Sequence, residues 1–159
     1  MKRLLLTALV LSVLMMPMSL RSQEPSRDEK TILNLSADFI ASFNDLDWER
    51  FRKFFDDEAT IIHPAQFPRR LDGRAAYEPA WQTVFDKVRK ESGRSAAPYM
   101  QLKPLDLEVQ MLNDVAIVTF HLDRGKNSIG RRTLVWHKNG DGWKIVHLHA
   151  SNVDAGDGP

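Results

Sequence analysis

Arg131-Arg132-Thr133-Leu134-Val135-Trp136-His137-Lys138 runs into Asn139-Gly140-Asp141-Gly142 and out through Trp143-Lys144-Ile145-Val146-His147-Leu148-His149-Ala150-Ser151. Both flanks are rich in β-branched and aromatic residues, which suit a pleated, half-buried surface. Asn-Gly and Asp-Gly between them supply the backbone conformations that a tight hairpin turn requires. Two antiparallel strands are therefore expected here. Successive side chains on a strand point to opposite faces, so Arg132, Leu134 and Trp136 share one face. His147 and His149 also share a face of their strand, and a one-residue bulge would exchange which face that is.

Working towards the N-terminus, Val115–Leu122 is apolar on both faces, as in a central strand, and Asp123–Gly130 is a long polar turn. Leu105, Leu107, Val109 and Met111 alternate with Asp106, Glu108 and Gln110, the pattern of a strand with one wet face. Earlier still the period is helical. Ser26 and Glu29 have capping-box spacing, and Ile32, Leu35, Phe39 and Phe43 follow at helical intervals until Asn44-Asp45. Asp47 can cap a second helix carrying Trp48, Phe51, Phe54 and Phe55. Asp56-Asp57-Glu58 reads as a solvated turn, because negative charge is unfavourable at a helix C-terminus. Ala59–His63 reads as a strand that stops at Pro64, with a loop to Gly73 that holds a short strand near Arg69–Leu71. A third helix, beginning at Asp72 or Pro79 and ending at Lys90, carries Tyr77, Trp81, Phe85 and Val88 on its apolar side. The order predicts an α+β domain over residues 26–152, with residues 153–159 as a flexible tail. Three N-terminal helices pack on a curved, mostly antiparallel sheet, giving a cone that encloses a pocket.

The chain has 159 residues, 43% of them apolar and 27% charged, with a formal net charge of +1. That balance excludes a nucleic-acid binder led by a basic surface. It contains no cysteine, which excludes disulfides and thiolate chemistry. Met1-Lys2-Arg3 followed by the apolar run Leu4–Met16 has the form of a secretory signal, ending near Ser22. The run falls short of the ~20 apolar residues that span a bilayer. The expectation is an exported protein, periplasmic or secreted, with residues 1–22 removed and no stable membrane span afterwards.

Three segments carry a resemblance. Phe43-Asn44-Asp45-Leu46-Asp47 with Phe55-Asp56-Asp57-Glu58-Ala59-Thr60-Ile61-Ile62-His63-Pro64, and then Leu71-Asp72-Gly73-Arg74-Ala75-Ala76, resemble the nuclear-transport-factor-2-like (SnoaL-like) superfamily. The hairpin at Thr133–Ser151 is similar to the end of the calcium/calmodulin-dependent kinase II association domain. The resemblance implies a cystatin-like cone with a pocket at its open end and homo-oligomers formed through the sheet. It does not imply kinase activity, since that lies in another domain. In ketosteroid isomerase, a member of the superfamily, the base carboxylate position matches His63, the oxyanion-hole acid matches Leu134, and the oxyanion-hole tyrosine falls near Ala37. A base is thus available and both oxyanion donors are missing, which argues against steroid isomerisation. The association domain's pocket arginines match Leu134 and Ala150, so this chain departs from that pattern too.

The candidate site follows from these positions. His63 is the candidate general base, near the pocket. Tyr77, Trp81, His121, Arg132, Leu134 and Trp136 are candidate pocket residues. Arg132 is the one to meet a carboxylate, because a guanidinium grips it in a fork. His147 and His149 are further candidates, but no third ligand at zinc spacing accompanies them, so neither metal nor cofactor is expected. The first reading is an exported small-ligand-binding or self-assembling domain, with an unidentified small molecule and further copies of itself as partners. The alternative is a lyase, isomerase or cyclase using His63 on a small carbonyl or carboxylate substrate. A second alternative is a protein-binding module.

Overall fold

Helix α1 (Arg27–Asp45) begins where its cap is encoded: Ser26 Oγ accepts from the Glu29 N–H at 3.1 Å, and Glu29 returns a carboxylate oxygen to the Ser26 N–H at 3.3 Å. The computed structural model describes residues 24–63, 67–125 and 127–154. The expected signal segment, and residues 155–159 of the expected tail, lie outside them. Leu46 ends α1 in the left-handed conformation, and the Asp47 side chain then caps α2 (Trp48–Phe51) through the Arg50 N–H. A single 3₁₀ turn, Arg52–Phe54, leads directly into strand β1 (Phe55–Ile62).

The remaining elements are β2 (Leu71–Asp72), α3 (Arg74–Ser92), β3 (Pro104–Leu112), β4 (Val115–Asp123), β5 (Ser128–Asn139) and β6 (Gly142–Asp154). They form one mixed six-stranded sheet in the order β2-β1-β6-β5-β4-β3. β1 runs parallel to β6, and the other neighbours are antiparallel. Helices packed on this curled sheet give the expected α+β cone. Helix α3 starts at Arg74, so Pro79 sits inside it. β6 extends two residues into the stretch read as a tail, where Val153 and Asp154 pair with Ile129 and Ser128.

Asp56-Asp57-Glu58 is not a turn but the middle of β1, with a shift of register against β6 between Phe55 and Thr60. Helix α3 supplies what local sequence does not: Arg74 pairs with Asp57, and the Tyr77 hydroxyl donates to the Asp56 carbonyl at 2.9 Å. Gly73 introduces that helix with φ +75, and its N–H donates to the Ala59 carbonyl at 3.0 Å.

Two bulges set which residues face inward. In β3, Leu105 lies opposite His121 while Glu108 lies opposite Thr119, so Asp106 and Leu107 together face Phe120. Leu105 is thereby turned to the outer face, 45% exposed, although it had shared the predicted stripe with Leu107. In β6, Val135 pairs with His147 while Trp136 pairs with Ile145, leaving Val146 as the extra residue. Trp143 and Ile145 are buried on the inner face before it, and Leu148 and Ala150 after it.

The narrow end of the cone is filled by aromatic rings. Phe51 contacts Phe39 at 5.1 Å, Phe55 at 5.3 Å and Trp81 at 5.0 Å between centroids. Phe54 meets Trp136 edge-on at 6.2 Å. Burying each such ring is worth on the order of 1.5–3 kcal/mol, with edge-to-face contacts adding to it.

Candidate functional site

At the wide end the rings no longer fill the space, and a cavity of about 610 Å³ opens between α1, α3 and the sheet. The strand register builds its sheet wall in layers. Leu148 and Leu134 are opposite one another in the deeper layer. Ala150, Arg132 and Phe120 form the next layer outward, and Asn152, Gly130 and Leu122 the last. His63, one residue beyond the Ile62–His149 pair, joins the wall beside Ala150. Helix α3 contributes Trp81, Val84, Lys87, Val88 and Glu91, spaced so that they lie on one face. Helix α1 adds Phe39, Ile40 and Phe43, and Met100 and Leu102 close the side. That last segment is fastened to α1 by Asn44, whose side chain bonds both Leu102 N (2.9 Å) and Leu102 O (3.2 Å). Its carbonyl accepts from the Tyr99 and Met100 N–H groups.

The charged groups of the wall are Lys87, Arg124, Arg132 and Glu91, an excess of positive charge. The Arg132 guanidinium is held by neutral oxygens: its Nη1 donates to Ser151 O at 3.0 Å and Arg131 O at 2.9 Å, with Asn152 Oδ1 at 3.5 Å. No carboxylate pairs with it among the described residues. Burial, reinforced by Arg124, lowers its pKa to about 10, so it remains a cation at neutral pH. Burial likewise brings His63 down to about 4, helped by Arg132 and Lys87, and its imidazole is neutral near pH 7. The His63 ring stands edge-on to Trp81 at 5.4 Å and to Phe67 at 5.7 Å. The Trp81 indole N–H is buried without a hydrogen-bond partner among the described residues.

His63, Trp81, Arg132 and Leu134 therefore meet at one cavity. The other candidates are elsewhere. Tyr77 shares the helix with Trp81 but is fully buried in the core, its hydroxyl committed to Asp56 and its pKa raised to about 12, chiefly by burial. Trp136 shares the inward face with Arg132 and Leu134, yet lies among the rings of the narrow end. His121 is on the outer face of β4, 3.6 Å from Asp106. His147 and His149 are also on the outer face, because of the bulge at Val146. There His147 Nδ1 is 2.7 Å from Thr60 Oγ1, and burial lowers its pKa, with His149 and Arg70 adding to the effect. No group of three or more potential metal ligands is gathered among the described residues. None of their helices is long and apolar enough to cross a membrane.

Lys87, Glu91, Arg124 and Asn152 were not anticipated. The spacing Trp81, Val84, Lys87, Val88, Glu91 carried the signal for the helical members. Asn152 follows from continuing the alternation of Leu148 and Ala150 past the expected strand end.

A family model described as a SnoaL-like domain matches residues 32–155. Among curated proteins none matches this chain. Several solved structures share the fold. The CaMKII hub of S. rosetta is 28% identical, over 82% of this chain and 100% of that one, with a TM-score of 0.62. An NTF2-like protein from Pseudomonas putida is 20% identical, over 78% and 85%, with a TM-score of 0.64. A cystatin-like fold protein from Burkholderia xenovorans is 20% identical, over 80% and 92%, with a TM-score of 0.61.

Proposed function

We propose that this chain, which belongs to the SnoaL-like domain family, is an exported domain that binds a small molecule in its cavity and assembles with copies of itself. One observation carries the binding reading: a cavity of about 610 Å³ with a half-buried cation, Arg132, that no carboxylate neutralises among the described residues. A protein does not gain stability from an uncompensated charge placed there, so a ligand that compensates it is the economical explanation. Assembly is supported by the likeness to a protein described as a hub, and by Ile62, Leu105 and Val153, large apolar residues exposed on strands of the sheet. Export rests on the N-terminal pattern of a charged start and a short apolar run.

Native mass spectrometry of protein purified from the periplasm, first gentle and then denaturing, tests all three parts. A homo-oligomer carrying a small mass that is lost on denaturation is the expected result. A monomer that stays empty at every concentration would sink the binding and assembly readings together.

His63 motivates the enzymatic alternative, since it stands in the same layer as Arg132. A pKa near 4 makes it a weak base at neutral pH. That favours binding over proton abstraction. If a turnover is found, His63→Ala should abolish it, and an unchanged rate would remove the residue from the chemistry.

A further inference from the structure

The Arg132 side chain does not point straight across the cavity. It folds back along its own strand and lies over Gly130, the next inward-facing residue. A Cβ built at Gly130 would stand 3.1 Å from Arg132 Nη1, 3.2 Å from Nη2 and 3.3 Å from Leu122 Cβ. The backbone there is ordinary strand, so no conformational reason calls for glycine. What glycine supplies is a seat for the guanidinium. The seat holds the charge in the outer part of the cavity, with Asn152 in the same layer and Arg124 on the same wall. One layer deeper the wall is purely apolar, formed by Leu134 and Leu148, and Phe39, Phe43 and Val84 cover it from the helices.

The cavity is therefore divided along its length, cationic outside and hydrocarbon inside. We infer that it takes an amphipathic monoanion, a carboxylate on an apolar chain or ring. The carboxylate meets the Arg132 guanidinium on its Gly130 seat and the apolar body lies against Leu134 and Leu148. This rests on the reading of the cavity as a binding site and adds to it the ligand's class and direction. Among the described residues Nη2 has only the distant Asn152 Oδ1 as a partner at 3.5 Å, which leaves donor capacity on the guanidinium for an incoming oxygen. A simple inorganic anion would leave the hydrocarbon floor unfilled, and a neutral lipid would leave the cation uncompensated.

The test uses a matched pair of probes, octanoate and octan-1-ol, titrated into the whole protein and read by tryptophan fluorescence and calorimetry. Octanoate is expected to bind about tenfold tighter or more, the effect of one hydrogen-bonded charge pair. Arg132→Gln should remove that preference, weakening octanoate far more than octan-1-ol. Gly130→Val keeps the arginine but occupies its seat, and should weaken octanoate alone. Equal affinity for the two probes in the unaltered protein, or a preference that survives Arg132→Gln, overturns the inference while the cavity still binds. Binding of neither probe overturns the inference and the binding reading with it. The comparison of the two probes in the unaltered protein decides the matter even where a variant fails to fold.

Discussion

The two ends of this cone are lined by the same sheet and the same two long helices, yet one is full and the other hollow. At the narrow end, Phe51, Phe54, Phe55, Tyr77 and Trp136 interlock, and the buried tyrosine hydroxyl has an acceptor. At the wide end, Phe39, Phe43, Trp81 and Leu134 are joined by Arg132 and His63, and space remains between them. The difference lies in the side chains, since the backbone layers continue through both. Stability is concentrated where aromatic volume is matched to the available room. The hollow end holds groups that folding alone would not select. A cation without a carboxylate among the described residues costs stability at neutral pH, a buried histidine costs it once the pH falls, and such departures cluster at functional sites.

That contrast can be broken most severely from the narrow end. Phe51→Ala should cost about 3–5 kcal/mol in urea denaturation, because the ring is fully enclosed. Leu134→Ala, at the edge of an existing cavity, should fall near the lower end of the ~2–5 kcal/mol seen for such truncations. Equal losses would mean that the hollow end is as tightly determined as the filled one. Next in size, Tyr77→Phe removes the hydroxyl that serves the Asp56 carbonyl and should cost about 1–2 kcal/mol, with little change in ligand binding.

The wide end should respond with the opposite sign. Arg132→Leu is expected to stabilise the empty protein by about 1 kcal/mol, read as a raised melting temperature, while weakening acid binding. A clear loss of stability would show that the arginine is structural. His63 gives the pH dependence. Its folded pKa lies below the ordinary value, so the unfolded chain takes up its proton first as the pH falls. Its contribution is present above about pH 6.5 and is lost progressively down to about pH 4. His63→Asn should flatten that part of the stability curve, and a curve of unchanged slope would contradict the burial argument. The smallest effect is predicted on the surface, where Lys138 pairs with Asp28 at 3.0 Å: Asp28→Asn should cost less than about 0.5 kcal/mol.

Much of the narrow end was legible in the sequence, because local rules govern it. The Ser26–Glu29 cap, the aromatic stripe from Phe39 to Phe55 and the hairpin at Asn139–Gly142 each follow from short-range spacing. Half of the wide end was legible for the same reason, since Arg132 and Leu134 lie on one uninterrupted strand. What escaped depended on contacts between distant segments. The acidic run at Asp56–Glu58 stays in a strand because Arg74 and Tyr77 arrive from α3. Tyr77 has the spacing of a pocket residue, and only the position of the Asp56 carbonyl draws it into the core. His121 alternates correctly in β4, but nothing in an apolar run on both faces says which face is inner. Gly130 matters for the room it leaves, and room has no sequence signature of its own.

The extra residue at Val146 has a consequence for heredity. It divides one continuous strand into two reading frames, odd positions inward before it and even positions inward after it. Loss of a single codon at that point would only smooth the strand, leaving Ile145, Leu148 and Ala150 inward and His147 and His149 outward with the same partners, whereas loss of a codon at a regular position of the strand would turn the part beyond it inside out. The bulge is therefore the place in this strand where evolution can drop a residue without exchanging its inner and outer surfaces. Relatives are best compared in two separate segments, one on each side of that residue.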